Sequence, residues 1–183
     1  IYAFEPNTET LKFLKKNIEN NPIKNITLYE KAAYSSNTKL KFLAANQEGN
    51  SGGSHIIKDL QHGFAGKEVE VEAVALDSVL PSDISIDVIQ MDVEGAEADA
   101  IFGAERIIDA SPNLVVIQEW TPKWMKKDVE KYLSFWRKRG YKFARIADDD
   151  LHEMSDEDLT NSDQADIVIL KDLESLKRKI FSK

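Results

Sequence analysis

Residues 86–97 constrain this chain more than any other stretch. Ile86-Asp87-Val88-Ile89-Gln90-Met91 is a nearly continuous apolar run that passes into Asp92-Val93-Glu94-Gly95-Ala96-Glu97, after which Ile101, Ala104, Ile107 and Ile108 continue at helical spacing. Such a run predicts a parallel strand covered on both faces, entering a helix through a tight acidic turn. The theme repeats along the chain. An apolar run at 1–5 ends in Glu5 and is followed by Pro6 and by Leu11, Leu14 and Ile18, which reads as strand, turn and helix. Asn7 or Thr8 can cap that helix, and Asn20-Asn21-Pro22 stops it. Residues 26–29 offer the next strand, leading into Ala32-Ala33, and residues 114–117 another, ending in Glu119. Thr121-Pro122 opens a helix with Met125, Val129, Tyr132, Leu133 and Trp136 as its apolar stripe, and Gly140 closes it. Residues 141–146 and 167–170 are the last two strands, and 172–181 form a terminal helix.

Strands alternating with helices predict an α/β fold, one mostly parallel sheet with helices on both faces. The loop between the last two strands has no convincing crossover helix, so they are expected to close the sheet as an antiparallel pair. Residues 38–75 break the rhythm. There Leu40 and Phe42 alternate with Lys39 and Lys41, and Val69, Val71 and Ala73 with Glu68, Glu70 and Glu72, the mark of half-exposed antiparallel strands. Between them lies a polar loop containing Gly49-Asn50-Ser51-Gly52-Gly53-Ser54-His55. At 183 residues and 42% hydrophobic the chain fits a single domain, residues 1–183, with this strand-loop-strand insertion at about 38–75.

Composition narrows the function. There are 32 acidic against 24 basic side chains, a net charge of −8, which argues against a nucleic-acid partner. The chain has no cysteine, which excludes disulfides, thiolate zinc sites and a cysteine nucleophile and fits a reducing, cytoplasmic setting. No apolar run approaches the ~20 residues of a membrane span. The chain opens in what reads as the middle of a buried strand, without an initiator Met, so the natural N-terminus is expected to lie upstream.

Three acids sit at predicted strand ends: Glu5, Asp92 and Glu119. Ligands of open α/β sheets bind outside those ends. Glu5 has the position from which a carboxylate accepts hydrogen bonds from ribose hydroxyls, a role that suits NAD and S-adenosylmethionine equally. Gly95 permits a tight turn. For Glu97 the preferred role is structural, an acid in the first helical turn complementing the helix dipole. His55 is expected to be a solvated loop histidine, with proton acceptor as the alternative.

Tyr2-Ala3-Phe4-Glu5-Pro6, Ala75-Leu76-Asp77-Ser78-Val79-Leu80, Met91-Asp92-Val93-Glu94-Gly95-Ala96-Glu97 and Gly103-Ala104 occur in the order seen in FkbM-type methyltransferases, which residues 1 to about 120 resemble. The resemblance implies a Rossmann-like class I methyltransferase fold whose first strand and glycine-rich turn would precede Ile1. It implies S-adenosylmethionine as cofactor, Glu5 on its ribose and Lys31 and Ala32 beside the adenine, with the 44–66 loop reaching over the acceptor pocket. Methyl transfer to an unactivated hydroxyl of a small molecule, sugar or lipid-linked acceptor needs positioning and a base. Asp92 is the first choice for it, followed by Glu119 and Glu94. These carboxylates can alternatively bind a divalent cation, although no metal is assigned. A nucleotide-binding oxidoreductase and a non-catalytic binding module of the same fold are the competing readings.

Overall fold

The computed structural model describes residues 1–45, 53–57, 66–125, 128–147 and 150–181. Its internal contacts define two compact units, Ile1–Leu80 with Asp99–Ala104, and Pro81–Ala98 with Glu105–Lys183.

In the first unit, strand β1 (Tyr2–Phe4) passes through Pro6 into helix α1 (Thr8–Asn20) and returns as β2 (Thr27–Tyr29), parallel to β1 with Tyr2 opposite Thr27. Asn7 is the cap: its side chain accepts the Glu9 N–H at 3.0 Å. Asn21 N–H still reaches Asn17 O, and Pro22 ends the ladder. Phe4 and Tyr29, neighbours in register, stack with centroids 4.7 Å apart.

The alternating segments become β4 (Thr38–Ala45) and β6 (Gly66–Val74), antiparallel from Thr38 opposite Ala73 to Ala45 opposite Gly66. With β3 (Ala32–Ala33) and β5 (His55–Ile56) they form a sheet ordered β3-β6-β4-β5. Lys39–Glu70 and Lys41–Glu68 ion pairs cover the wet face, while Phe42, Val71 and Ala73 are buried. After the short helix α2 (Leu76–Val79), the unit is completed by the end of α3 (Glu97–Phe102) and by Gly103. Asp77 N–H donates to Gly103 O, and a Cβ on Gly103 would lie 1.9 Å from the Tyr34 carbonyl oxygen, so only glycine permits this approach.

The second unit holds β7 (Val88–Met91), α4 (Glu105–Asp109), β8 (Val115–Trp120), α5 (Pro122–Met125), α6 (Val129–Lys138), β9 (Lys142–Ile146), β10 (Leu151–Met154), α7 (Asp156–Asn161), β11 (Ala165–Leu170) and α8 (Leu173–Phe181). Its sheet runs β10-β9-β11-β8-β7. Trp120, Tyr132, Trp136, Tyr141 and Phe143 are fully buried and pack largely edge-to-face, each burial contributing on the order of 2 kcal/mol. Gly140, at φ 77°, closes α6: its N–H bonds Arg137 O and Tyr141 N–H bonds Trp136 O, a left-handed cap.

Several expectations change. Parallel pairing does not predominate among the described residues: β1–β2, β3–β6 and β7–β8 are parallel, whereas β4–β5, β4–β6, β8–β11, β9–β11 and β9–β10 are antiparallel. In the second unit the reason is connectivity: a short link joins β9 to β10, and the segment holding α7 (Asp156–Asn161) returns β11 between β8 and β9, antiparallel to both. The predicted closing pair is β9 with β11, and between them in sequence lie an additional strand, β10, and a helix, α7. Ser155 starts α7 through a capping box with Asp158. The predicted helix from Thr121 appears as α5 and α6, with residues 126–127 outside the described residues. β7 is not covered on both faces; it is the last strand of its sheet, and Val88 is 55% exposed.

Candidate functional site

The acidic turn is built by β7, β8 and the start of α3, all within the second unit. Asp92 leaves β7 exposed; Glu94 then takes φ 51° and Gly95 φ 90°, two successive left-handed residues that reverse the chain into α3. Left-handed backbone is unfavourable for glutamate by about 1–2 kcal/mol, so something must hold it. Glu97 does. Its side chain, only 5% exposed, folds back so that Oε1 accepts the N–H of Gly95 at 3.2 Å and of Val93 at 3.4 Å. The place of Glu97 at the helix start is readable from sequence, but this contact is not, because an acid two residues after a glycine carries no visible sign that it will turn inward.

Parallel pairing of Met91 with Gln118 brings Glu119, the next residue of β8, beside Asp92. Asp92, Glu94 and Glu119 each offer an oxygen, and these lie within 4.8 Å of one another. The Gln164 amide donates to Glu119 Oε1, and Asp166 stands opposite Glu119 on β11. Gln118 points to the other face of β8, where the buried Tyr132 hydroxyl donates to its Oε1.

Like charges and burial shape the chemistry of this turn. Burial first, then Asp92, Glu119 and Glu97, push the Glu94 carboxyl up to about 7. Its Oε2 is buried with no hydrogen-bond partner among the described residues. Glu119 is also raised, by burial first and then by Asp92 and Asp166. A carboxyl poised near neutrality can take up and return a proton at physiological pH. The spacing of the three oxygens also lies within the reach of one divalent cation.

The cofactor-binding candidates belong to the first unit. Glu5, half-buried at the end of β1, accepts the Asn7 N–H on Oε1 at 2.7 Å. Burial raises its carboxyl, and that hydrogen bond opposes the rise. No hydrogen bond to its Oε2 forms among the described residues. Lys31 pairs with Glu72 at 2.8 Å, and Ala32 is buried in β3 opposite Ala73. His55 corrects the sequence expectation: it is 4% exposed, and its Nδ1–H donates to Gly53 O at 2.9 Å. A flanking run of glycine and serine reads as solvated loop, yet His55 pairs with Leu43 across β4–β5 and is thereby drawn into the sheet. The rest of the expected pocket loop, 46–52 and 58–65, lies outside the described residues. Among the described residues no helix is long and apolar enough to cross a membrane.

Comparison with known proteins agrees with this architecture. No curated protein matches the chain. A crystal structure of methyltransferase FkbM from Methylobacillus flagellatus KT aligns with a TM-score of 0.54 at 14% identity, covering 92% of this chain and 36% of that one. At that identity the likeness is one of fold, and this chain spans about a third of the length of its structural relative. The family model described as the methyltransferase FkbM domain matches residues 1–143, a stretch that contains both the Glu5 strand end and the Asp92–Glu97 turn. The chain belongs to the FkbM methyltransferase domain family.

Proposed function

We propose that the protein is an S-adenosylmethionine-dependent O-methyltransferase acting on a hydroxyl of a small-molecule, sugar or lipid-linked acceptor in the cytoplasm. The observation that carries this reading is the match of residues 1–143 to the methyltransferase FkbM domain, within which Asp92, Glu94 and Glu119 gather where β7 and β8 end. When bound, S-adenosylmethionine supplies an electrophilic methyl group on sulfur. The chain's residues then have two roles, cofactor binding and proton removal. Glu5 accepts hydrogen bonds from the ribose hydroxyls on the oxygen that Asn7 leaves open, with the Lys31–Ala32 region beside the adenine. Asp92 orients the acceptor hydroxyl and takes its proton as the new oxygen–carbon bond forms and the carbon–sulfur bond breaks, leaving its electron pair on sulfur. Glu94 and Glu119 hold the proton within the cluster until solvent removes it.

Calorimetric titration with S-adenosylmethionine tests cofactor binding, which Glu5→Ala should weaken by ~1–3 kcal/mol. For proton removal, Asp92→Asn should lower turnover of a verified acceptor roughly 10²–10⁴-fold while changing cofactor affinity less. Tight binding of NAD in place of S-adenosylmethionine would instead favour an oxidoreductase.

A further inference from the structure

Asn7 is a polar residue only 2% exposed, and each of its polar groups is engaged. Its N–H donates to Glu5 Oε1 at 2.7 Å, its Oδ1 accepts the Glu9 N–H at 3.0 Å, its Nδ2 donates to Ser54 Oγ at 3.1 Å, and its carbonyl accepts the Leu11 N–H at 2.9 Å. Capping α1 requires only the acceptor, which serine, threonine or aspartate supplies as well as asparagine. Of these, asparagine alone adds an amide donor, and here that donor spans 47 residues of sequence to reach Ser54. Ser54 Oγ in turn accepts the Ala45 N–H at 3.1 Å, fixing it to the end of β4. Beside it the buried His55 closes back on Gly53 O, so the anchor is itself held.

We infer that Asn7 and Ser54 are positioning residues for the Glu5 carboxylate. Their bond pins residue 7 so that its N–H occupies one oxygen of Glu5 and orients the other toward the paired hydroxyls of a ribose. The inference rests on the reading that Glu5 binds the cofactor ribose. It adds that residues far away in sequence, on the β4–β5 sheet, set the affinity of that contact.

The test is calorimetric titration of the protein with S-adenosylhomocysteine, alongside a melting curve for each variant. Glu5→Ala should weaken binding by roughly 10- to 100-fold, as expected for hydrogen bonds to a charged group. Asn7→Ser, which keeps the cap but loses the amide donor, and Ser54→Ala should each weaken it by about 3- to 10-fold, the scale of one neutral hydrogen bond. Ser54→Thr, which retains the hydroxyl, should restore affinity. In the Glu5→Ala background Ser54→Ala should have no further effect, an outcome a purely structural role would not produce. Unchanged affinity in Asn7→Ser and Ser54→Ala beside a weakened Glu5→Ala overturns the positioning role and leaves the ribose contact standing. Additive losses in the double variant overturn it as well. An unchanged Glu5→Ala overturns the ribose reading itself.

Discussion

Replacing Glu94 with glutamine probes the electrostatics of the acidic turn. In the folded chain its carboxyl is pushed up to about 7 from an ordinary 4.5, by burial first and then by Asp92, Glu119 and Glu97. The folded state therefore keeps the proton to higher pH than the unfolded chain does. Stability contributed by this group is full below about 4.5 and is lost as pH rises toward about 7, after which the penalty stays constant. At about 1.4 kcal/mol per tenfold change in proton affinity, the displacement corresponds to about 3 kcal/mol. Glu94 is only half-buried, so solvent screening reduces this to about 1–2 kcal/mol. Glutamine keeps the shape and does not ionise. For a chain of this size Glu94→Gln should raise the melting temperature by about 2–8 °C at about pH 8 and hardly change it at about pH 4.5. Scanning fluorimetry on both proteins at both pH values measures the difference directly. An equal shift at the two pH values, or a loss at the higher one, refutes the account.

The remaining predictions concern the scaffold. Glu97→Ala removes the acceptor shared by Gly95 and Val93 N–H and should lower stability by about 1–3 kcal/mol in chemical denaturation. Glu97→Gln keeps an oxygen in place and should recover most of that loss; equal losses would show that charge, not hydrogen bonding, holds the turn. Gly103→Ala drives a Cβ onto the Tyr34 carbonyl oxygen and should destabilise by about 1–3 kcal/mol. Gly140→Ala meets no atom within 4 Å, so its cost is the left-handed backbone alone, about 1–2 kcal/mol. Wild-type melting of Gly103→Ala would mean that the backbone there shifts freely.

The local layout was legible because it depends on neighbours in sequence. Pro6 with Asn7, Asn21 with Pro22, Gly140, and the alternation of Lys39 and Lys41 with Leu40 and Phe42 each declare a turn, cap or strand through one residue's conformational preference. Asp92 and Glu119 were also readable, since acids at the ends of two apolar runs meet when those runs pair. What stayed hidden depends on partners distant in sequence. Nothing around Val88 announces that its face of β7 is exposed, and nothing around His55 reveals that Leu43 draws it inward. The amide of Asn7 finds Ser54 only in three dimensions, and the raised carboxyl of Glu94 follows from distances that spacing does not encode. α7 was missed for a different reason. Ser155 and Asp158 form a visible box, but the helix is too short to show an apolar stripe.

The chain enters its first unit twice, at Ile1–Leu80 and again at Asp99–Ala104, and this has a consequence for biosynthesis. When Leu80 has been added, Asp77 N–H and Tyr34 still await the backbone of Gly103 that will meet them. At ~5–20 residues per second the missing piece follows about 1–5 s later. By then the whole of β7 and the acidic turn have already been polymerised in between. Neither unit is therefore a separable cassette: cutting after Leu80 takes from the first unit the carbonyl that accepts the Asp77 N–H in the first turn of α2, and grafting residues 81–183 elsewhere carries off six residues that belong to the other.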